Sequence, residues 1–489
     1  MDWQSLKVAE WLPDQAPFEN PGATTAHNCI AGASSYLPFA APVDYSQATS
    51  ANNYVRGATA IRNNANVTYV YAGDAGKLYQ LSATGWDDIS VAGAYSGTAT
   101  EEVWKFAQYG TQQVIATNYS NVPQKIVPGS AAVALGGSPP RARYVATIRD
   151  WLVFANLHDG TARPNRVQWS GYNNSEYWTR DVALQSDYQD IYEGGWITGL
   201  AEAGGLGVVL SDTTVHLMQY QGPPVTWSFQ RIANALGTKI PGSVVSHRDR
   251  VWWIGESDIW EYSGGQIQAI ATEKVARTFF ADLDGTSSHR VVSAVDPVRG
   301  VVVWAYPGLQ NIGGLPNKAL IYAYNVGRWT LASLEAVALF NFLSPGYTLD
   351  GLDAISSSLD ALGASLDADA WKGGALSFAA FSSTNKLQTF TGTPLSATLE
   401  TAELRAAIGR FTEITNSRPI HEGGSAMVRI GTRNLQDAAI NWTGPAECNN
   451  SGECNVRTNA RFSRARLELS GNWTHAIGVD VYARSSGKR

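Results

Sequence analysis

Residues 251–265 read VWWIGESDIWEYSGG, and the fold follows from this stretch. An apolar run, Val251 to Ile254, leads into a tight turn that carries Asp258. An alternating run through Tyr262 follows, and two glycines end it. Apolar and aromatic runs of this length are strands, and Gly, Asp and Ser between them are turn residues. The same unit stands at 69–85 (YVYAGDAGKLYQLSATG), with Asp74 in the turn, and at 207–222 (GVVLSDTTVHLMQYQG), with Asp212. A recurring unit of this kind cannot bury its own face and must stack on copies of itself. The repetition predicts a β-propeller.

Composition agrees with an all-β chain. Of 489 residues only 16% are charged, while Gly (47), Trp (17), Tyr (21) and Phe (14) are abundant. Aromatics pack well on pleated surfaces and glycines serve turns. Six candidate units centre on residues 67–72, 113–117, 150–156, 207–210, 251–254 and 301–306, near the spacing of about 40–50 residues of four-stranded blades. Insertions lengthen the third unit (NLHDGTARPNRVQWSGYNNSEYWTRD) and the sixth (PGLQNIGGLPNK). The predicted organisation is an extended arm at 1–50, a propeller of about six blades at 51–344, a short helical docking segment at 345–374, and a C-terminal antiparallel β-sheet or sandwich at 375–489.

Prolines at 13, 17, 21, 38 and 42 exclude a continuous helix from the arm. Its aromatic residues suit either contact with a partner or a closing strand for the ring. In the docking segment, Leu349, Leu352, Ile355, Leu359, Leu362 and Leu366 recur at three- and four-residue steps, one helical face. From 375 onward apolar and polar residues alternate, as in a half-buried sheet, and Arg461, Arg464, Arg466 and Arg484 crowd the end.

No constellation for catalysis stands out, and no catalytic residue, cofactor or metal is expected. The seven histidines are scattered singly, and no nucleophile elbow, phosphate loop or dinucleotide fingerprint occurs. SGYNNSEYWT at 170–179 lacks the Asp and Gly of a sialidase box. Trp169, Tyr172, Tyr177 and Trp178 offer rings for sugar stacking, but their alternation favours a packing role. Cys448 and Cys454 lie close enough to pair, and two free thiols fit as well. A net charge of −6 argues against a nucleic-acid coat, which must displace counterions from phosphate. No run of about 18 apolar residues is present, so no membrane insertion is expected.

The opening EWLPDQAPFENPGATTAHNCIAGASSYLPFAAP, with its Leu-Pro-Asp and Asn-Pro-Gly, resembles that of a family of tailed-phage proteins. RVQWSGYNNSEYWT, the block from WITGL through HLMQYQGPPVTWSFQRI to EKVARTFFADLD, GGALSFAAFSSTNKLQTFTGTPLSATLETAEL and the ending THAIGVDVYARSSGKR extend the resemblance over nearly the whole chain. The family is similar to the nozzle, hub or stabilisation proteins of short-tailed phages. The resemblance implies a virion subunit, assembled in the host cytoplasm. It would form a homo-hexameric ring below the portal and adaptor and contact other tail proteins. The ring would extend a channel through which duplex DNA passes without sequence-specific binding. A receptor- or glycan-binding propeller and a propeller glycoside hydrolase are the alternatives.

An acidic wall would repel DNA and let it slide, and six chains of −6 each suit that role. Candidate wall acids are Asp87, Asp88, Glu101, Glu102, Asp360 and Asp367. Candidate assembly contacts are Trp11 and Phe18 of the arm and Leu352 and Leu359 of the docking segment. Removal of residues 1–40 is expected to leave a folded monomer that no longer assembles.

Overall fold

The computed structural model describes residues 2–16, 20–45, 51, 53–65, 67–82, 85–91, 95, 102–344, 358, 374, 376–404 and 410–487. It is all-β, with a β-propeller joined to a curled C-terminal sheet.

Each of the six units seen in the sequence is a four-stranded antiparallel blade. Their inner strands are Ala58–Arg62, Lys105–Tyr109, Arg141–Ile148, Ile197–Ala203, Val245–His247 and Val292–Asp296, in blades 1 to 6. In each unit the most apolar run forms the second strand, for instance Arg250–Ile254 in blade 5 and Val301–Tyr306 in blade 6. Those strands are buried on both faces, which is why they read as continuous apolar runs. Adjacent blades are also tied by indoles. Trp253 donates to the Leu236 carbonyl at 2.8 Å, Trp304 to Ser243 at 2.9 Å and Trp329 to Ile270 at 3.0 Å.

A further four-stranded sheet, blade 7, stands between blades 6 and 1 and completes the ring. Its strands are Ala338–Leu343, Leu376–Phe381, Leu387–Thr389 and, outermost, Val43–Asp44 from the N-terminal arm. The arm thus supplies a closing strand, one of the two roles its sequence allows. The boundaries at 50, 344 and 375 all fall within or beside this blade.

The turn aspartates are structural. Asp74 is fully buried, and its carboxylate accepts from the Gly76 and Lys77 amides at 2.7 Å, Tyr79 Oη at 2.9 Å and Asn53 Nδ2 at 3.1 Å. Asp258 accepts from the Ile259 and Ala271 amides and the Thr272 hydroxyl. Buried carboxylates persist when their lone pairs are all answered.

Beyond blade 6 the sheet does not stop. Arg328–Ser333 meets Thr25–His27 of the arm, which pairs with Ala397–Glu400 and then with the long antiparallel strands Phe462–Ser486 and Phe411–Arg433. Register shifts between 414 and 425 bend the long pair. Along Phe462–Ser486, Ala465, Leu467 and Leu469 face the core, as do Val479 and Val481 after the bend, so the predicted alternation holds. The crowded arginines are matched by acids. Arg466 binds Glu400 at 2.6 Å and stacks on Trp442 at 3.9 Å, and Arg484 binds Glu413 at 2.6 Å. Cys448 and Cys454 pair as a disulfide.

The arm is laced into this body, which corrects its reading as an arm for a neighbour. Asp2–Lys7 pairs with residues 478–483. Asp14 of the Leu-Pro-Asp motif caps the helix Ala276–Asp282, accepting from the Arg277 and Thr278 amides at 2.7 and 2.8 Å. Asn20 of the Asn-Pro-Gly motif donates to the Leu12 carbonyl at 2.9 Å and accepts from the Gly22 amide at 2.7 Å. Trp11 is only 5% exposed and donates its indole N–H to the Thr24 carbonyl, so it packs within its own chain and is no assembly contact. Phe18, Leu352 and Leu359, with nearly all of the 345–374 segment, lie outside the described residues.

Candidate functional site

A cavity of about 750 Å³ opens where the inner strands begin. Its walls are the first residues of the inner strands of blades 1, 2, 3, 6 and 7, together with the connections that lead into blades 1, 2, 5 and 6. The rim requires close backbone approach. A Cβ on Gly57 would sit 2.3 Å from the Trp104 carbonyl oxygen, and one on Gly242 would sit 1.8 Å from that of Val291.

Charge is unevenly distributed here. Arg56, Lys105, Arg143, Lys239 and Arg290 line the cavity, with Glu102 as the one acid among the described lining residues. Glu102 pairs with Arg143 at 3.5 Å and accepts from the Ser120 hydroxyl. Arg143 also lies over the Tyr119 ring at 4.1 Å. Arg290 donates to the Gly313 carbonyl at 3.2 Å, and Lys239 turns outward to Glu256 at 3.3 Å. Lys105 stands on the first residue of its inner strand, and burial lowers the pKa of its ammonium. A partly desolvated cation ring with one carboxylate attracts anions, and low-dielectric walls concentrate that field.

The other sequence candidates lie elsewhere. Asp87 and Asp88 are exposed on the outer strand of blade 1, far in the blade from the channel strand. Burial raises the Asp88 pKa, but hydrogen bonds from Lys77 at 2.6 Å and from Ser90 outweigh it and hold the carboxyl below its ordinary value. Glu102 does line a channel, but it is the propeller's own and the acid is held by Arg143. Glu101, Asp360 and Asp367 lie outside the described residues. Trp169 and Trp178 are buried, the latter stacked on Phe154 at 4.6 Å, which favours their packing role. Tyr177 donates to Asp181, and Tyr172 leans on Trp151 with half its surface exposed. Among the described residues no three His, Cys, Asp or Glu converge to hold a metal ion. No helix there is long and apolar enough to cross a membrane.

Sequence reasoning missed the cation ring because its members carry no motif. The one available signal was position: Arg56 and Arg290 each stand two residues before an inner strand, and Lys105 and Arg143 lie near the start of one.

No family model matches the chain, and no curated protein does. Solved structures similar to it are propellers of low identity. The N-terminal domain of Nup159 is 9% identical with a TM-score of 0.37, over 75% of this chain and 99% of that one. The Neurospora crassa Pan2 WD40 domain is 7% identical with a TM-score of 0.35, over 63% and 90%. The extracellular domain of a B. thetaiotaomicron hybrid two component system, BT3049, is 9% identical with a TM-score of 0.43, over 94% and 61%.

Proposed function

We propose that this chain is a structural subunit of a short-tailed phage particle, a tail nozzle or hub protein without catalytic activity. Six copies form a ring below the portal and adaptor and extend the DNA channel for genome retention and ejection. The observation that carries the reading is the identity of the lacing residues. Asp14 and Asn20 both belong to the motifs behind the resemblance: Asp14 ties the arm to the helix that leads into blade 6, and Asn20 closes a turn within the arm. A chain whose family-like motifs serve rigidity suits a load-bearing role. Glycoside hydrolysis ordinarily uses two carboxylates flanking the bond, and Glu102 is alone among the described lining residues.

The purified chain should form six-fold rings in negative stain, alone or with a portal–adaptor complex. A chain that stays monomeric at micromolar concentration and never joins that complex refutes the reading. A receptor-binding propeller is the second reading, favoured by Tyr192 and Trp196, which are 80% and 62% exposed beside blade 3. Glycan-array binding lost in Trp196→Ala would favour it over the nozzle.

A further inference from the structure

The cavity at the start of the inner strands has a charge pattern that the nozzle role does not use. Three observations define what fits it. Its volume of about 750 Å³ lies within the range of small-ligand sites, about 300–1,000 Å³. Its cations come from separate blades and connections, and closure of the propeller brings them to one cavity. After Arg143 is matched by Glu102 and Lys239 by Glu256, Lys105 and Arg290 remain around the cavity with no further carboxylate among its described lining residues. Lys105 has no hydrogen-bond or ion-pair partner among the described residues, although it is half-buried in the cavity wall and burial disfavours its charge. A buried cation is costly unless an anion answers it.

We propose that the mouth of the propeller channel binds a small, multiply charged oxyanion, phosphoryl or polycarboxylate in character, with Lys105 and Arg290 as its principal contacts. The inference does not depend on ring assembly. It concerns a site within one chain, and a monomer would carry it equally.

The test is isothermal titration of the full chain with inorganic pyrophosphate and, separately, citrate, at about 50 and 200 mM salt. At least one of the two binds, more weakly at the higher salt. Affinity falls about ten- to hundredfold in Lys105→Gln and in Arg290→Gln, the range of a lost charge-assisted hydrogen bond. Arg180→Gln, an exposed cation on the blade 3 loop, leaves it unchanged. Pyrophosphate alone assigns phosphoryl chemistry, citrate alone assigns polycarboxylate, and both assign the shared oxyanion. Arg290 lies on a connection and is partly exposed, so its variant keeps the test readable if Lys105→Gln misfolds. The proposal is overturned if neither anion binds, if Arg290→Gln binds as tightly as the parent, or if Arg180→Gln loses as much.

Discussion

Removal of residues 1–44 should unfold this protein and not merely disable its assembly. The arm buries five large side chains, Val8, Trp11, Ile30, Tyr36 and Phe39, each no more than 5% exposed. Full burial of such a side chain stabilises by about 1.5–3 kcal/mol, so the five together contribute roughly 7–15 kcal/mol. That is an upper figure, because unfolded chains already bury part of their surface. It still matches the whole net stability of an ordinary domain, about 5–15 kcal/mol. The deletion also strips the outer strand from blade 7 and the Thr25–His27 strand that joins blade 6 to the C-terminal sheet. Phe39 leaves the Phe390 ring that it meets at 5.3 Å. Near-UV circular dichroism and limited proteolysis of the truncated chain are the assay, and the expected result is lost tertiary signal and rapid cleavage. A shorter truncation of residues 1–7 removes one edge strand and should keep the fold. If the chain lacking 1–44 shows a native near-UV spectrum and melts within a few degrees of the parent, the reasoning fails.

Three further outcomes are expected. Asp74→Ala leaves the buried Tyr79 hydroxyl and two amides without an acceptor, at a cost of about 4 kcal/mol, whereas Asp74→Asn keeps one oxygen and costs less. Thermal midpoints in the order parent, Asn, Ala check this, and equal melting of parent and Ala refutes it. Burial lowers the pKa of His27, His216 and His247, so below about pH 6.5 the unfolded chain takes up protons that the folded chain refuses. Stability is then full above that pH and declines as pH falls. The urea midpoint should drop between pH 7.5 and 5.5, and replacement of all three by Gln should flatten the decline; a midpoint that rises on acidification contradicts it. Reduction of Cys448–Cys454, which closes a loop with a separation of only six residues, should cost no more than about 2 kcal/mol. A midpoint collapse on adding reductant would show a larger role.

Much of the ring was legible because each blade's second strand is buried on both faces. Runs such as Val251 to Ile254 and Val301 to Tyr306 stand out against alternating neighbours. The seventh blade was hidden for a topological reason. Its outer strand is two residues from the arm, and its first two strands are separated by the leucine-rich segment, so no local repeat marks it. The C-terminal alternation was readable, yet its continuity with blade 6 was not, since parallel contact of His27 with Leu331 is a long-range pairing. The cation ring was opaque for the same reason. Arg56 and Arg290 are far apart in sequence and meet only because the blades close.

The interlocking of the two chain ends bears on how the protein is made. Residues 2–7 are made about 470 residues before their partners at 478–483. At about 5–20 residues per second, residues 2–7 wait for tens of seconds for their partner strand. Blades 1 to 6 have all four of their strands within reach as they emerge, but this clasp is set only once residues 478–483 have been made. A chaperone that holds extended segments would therefore meet this polypeptide ahead of blade 1 and release it once residues 478–483 have paired.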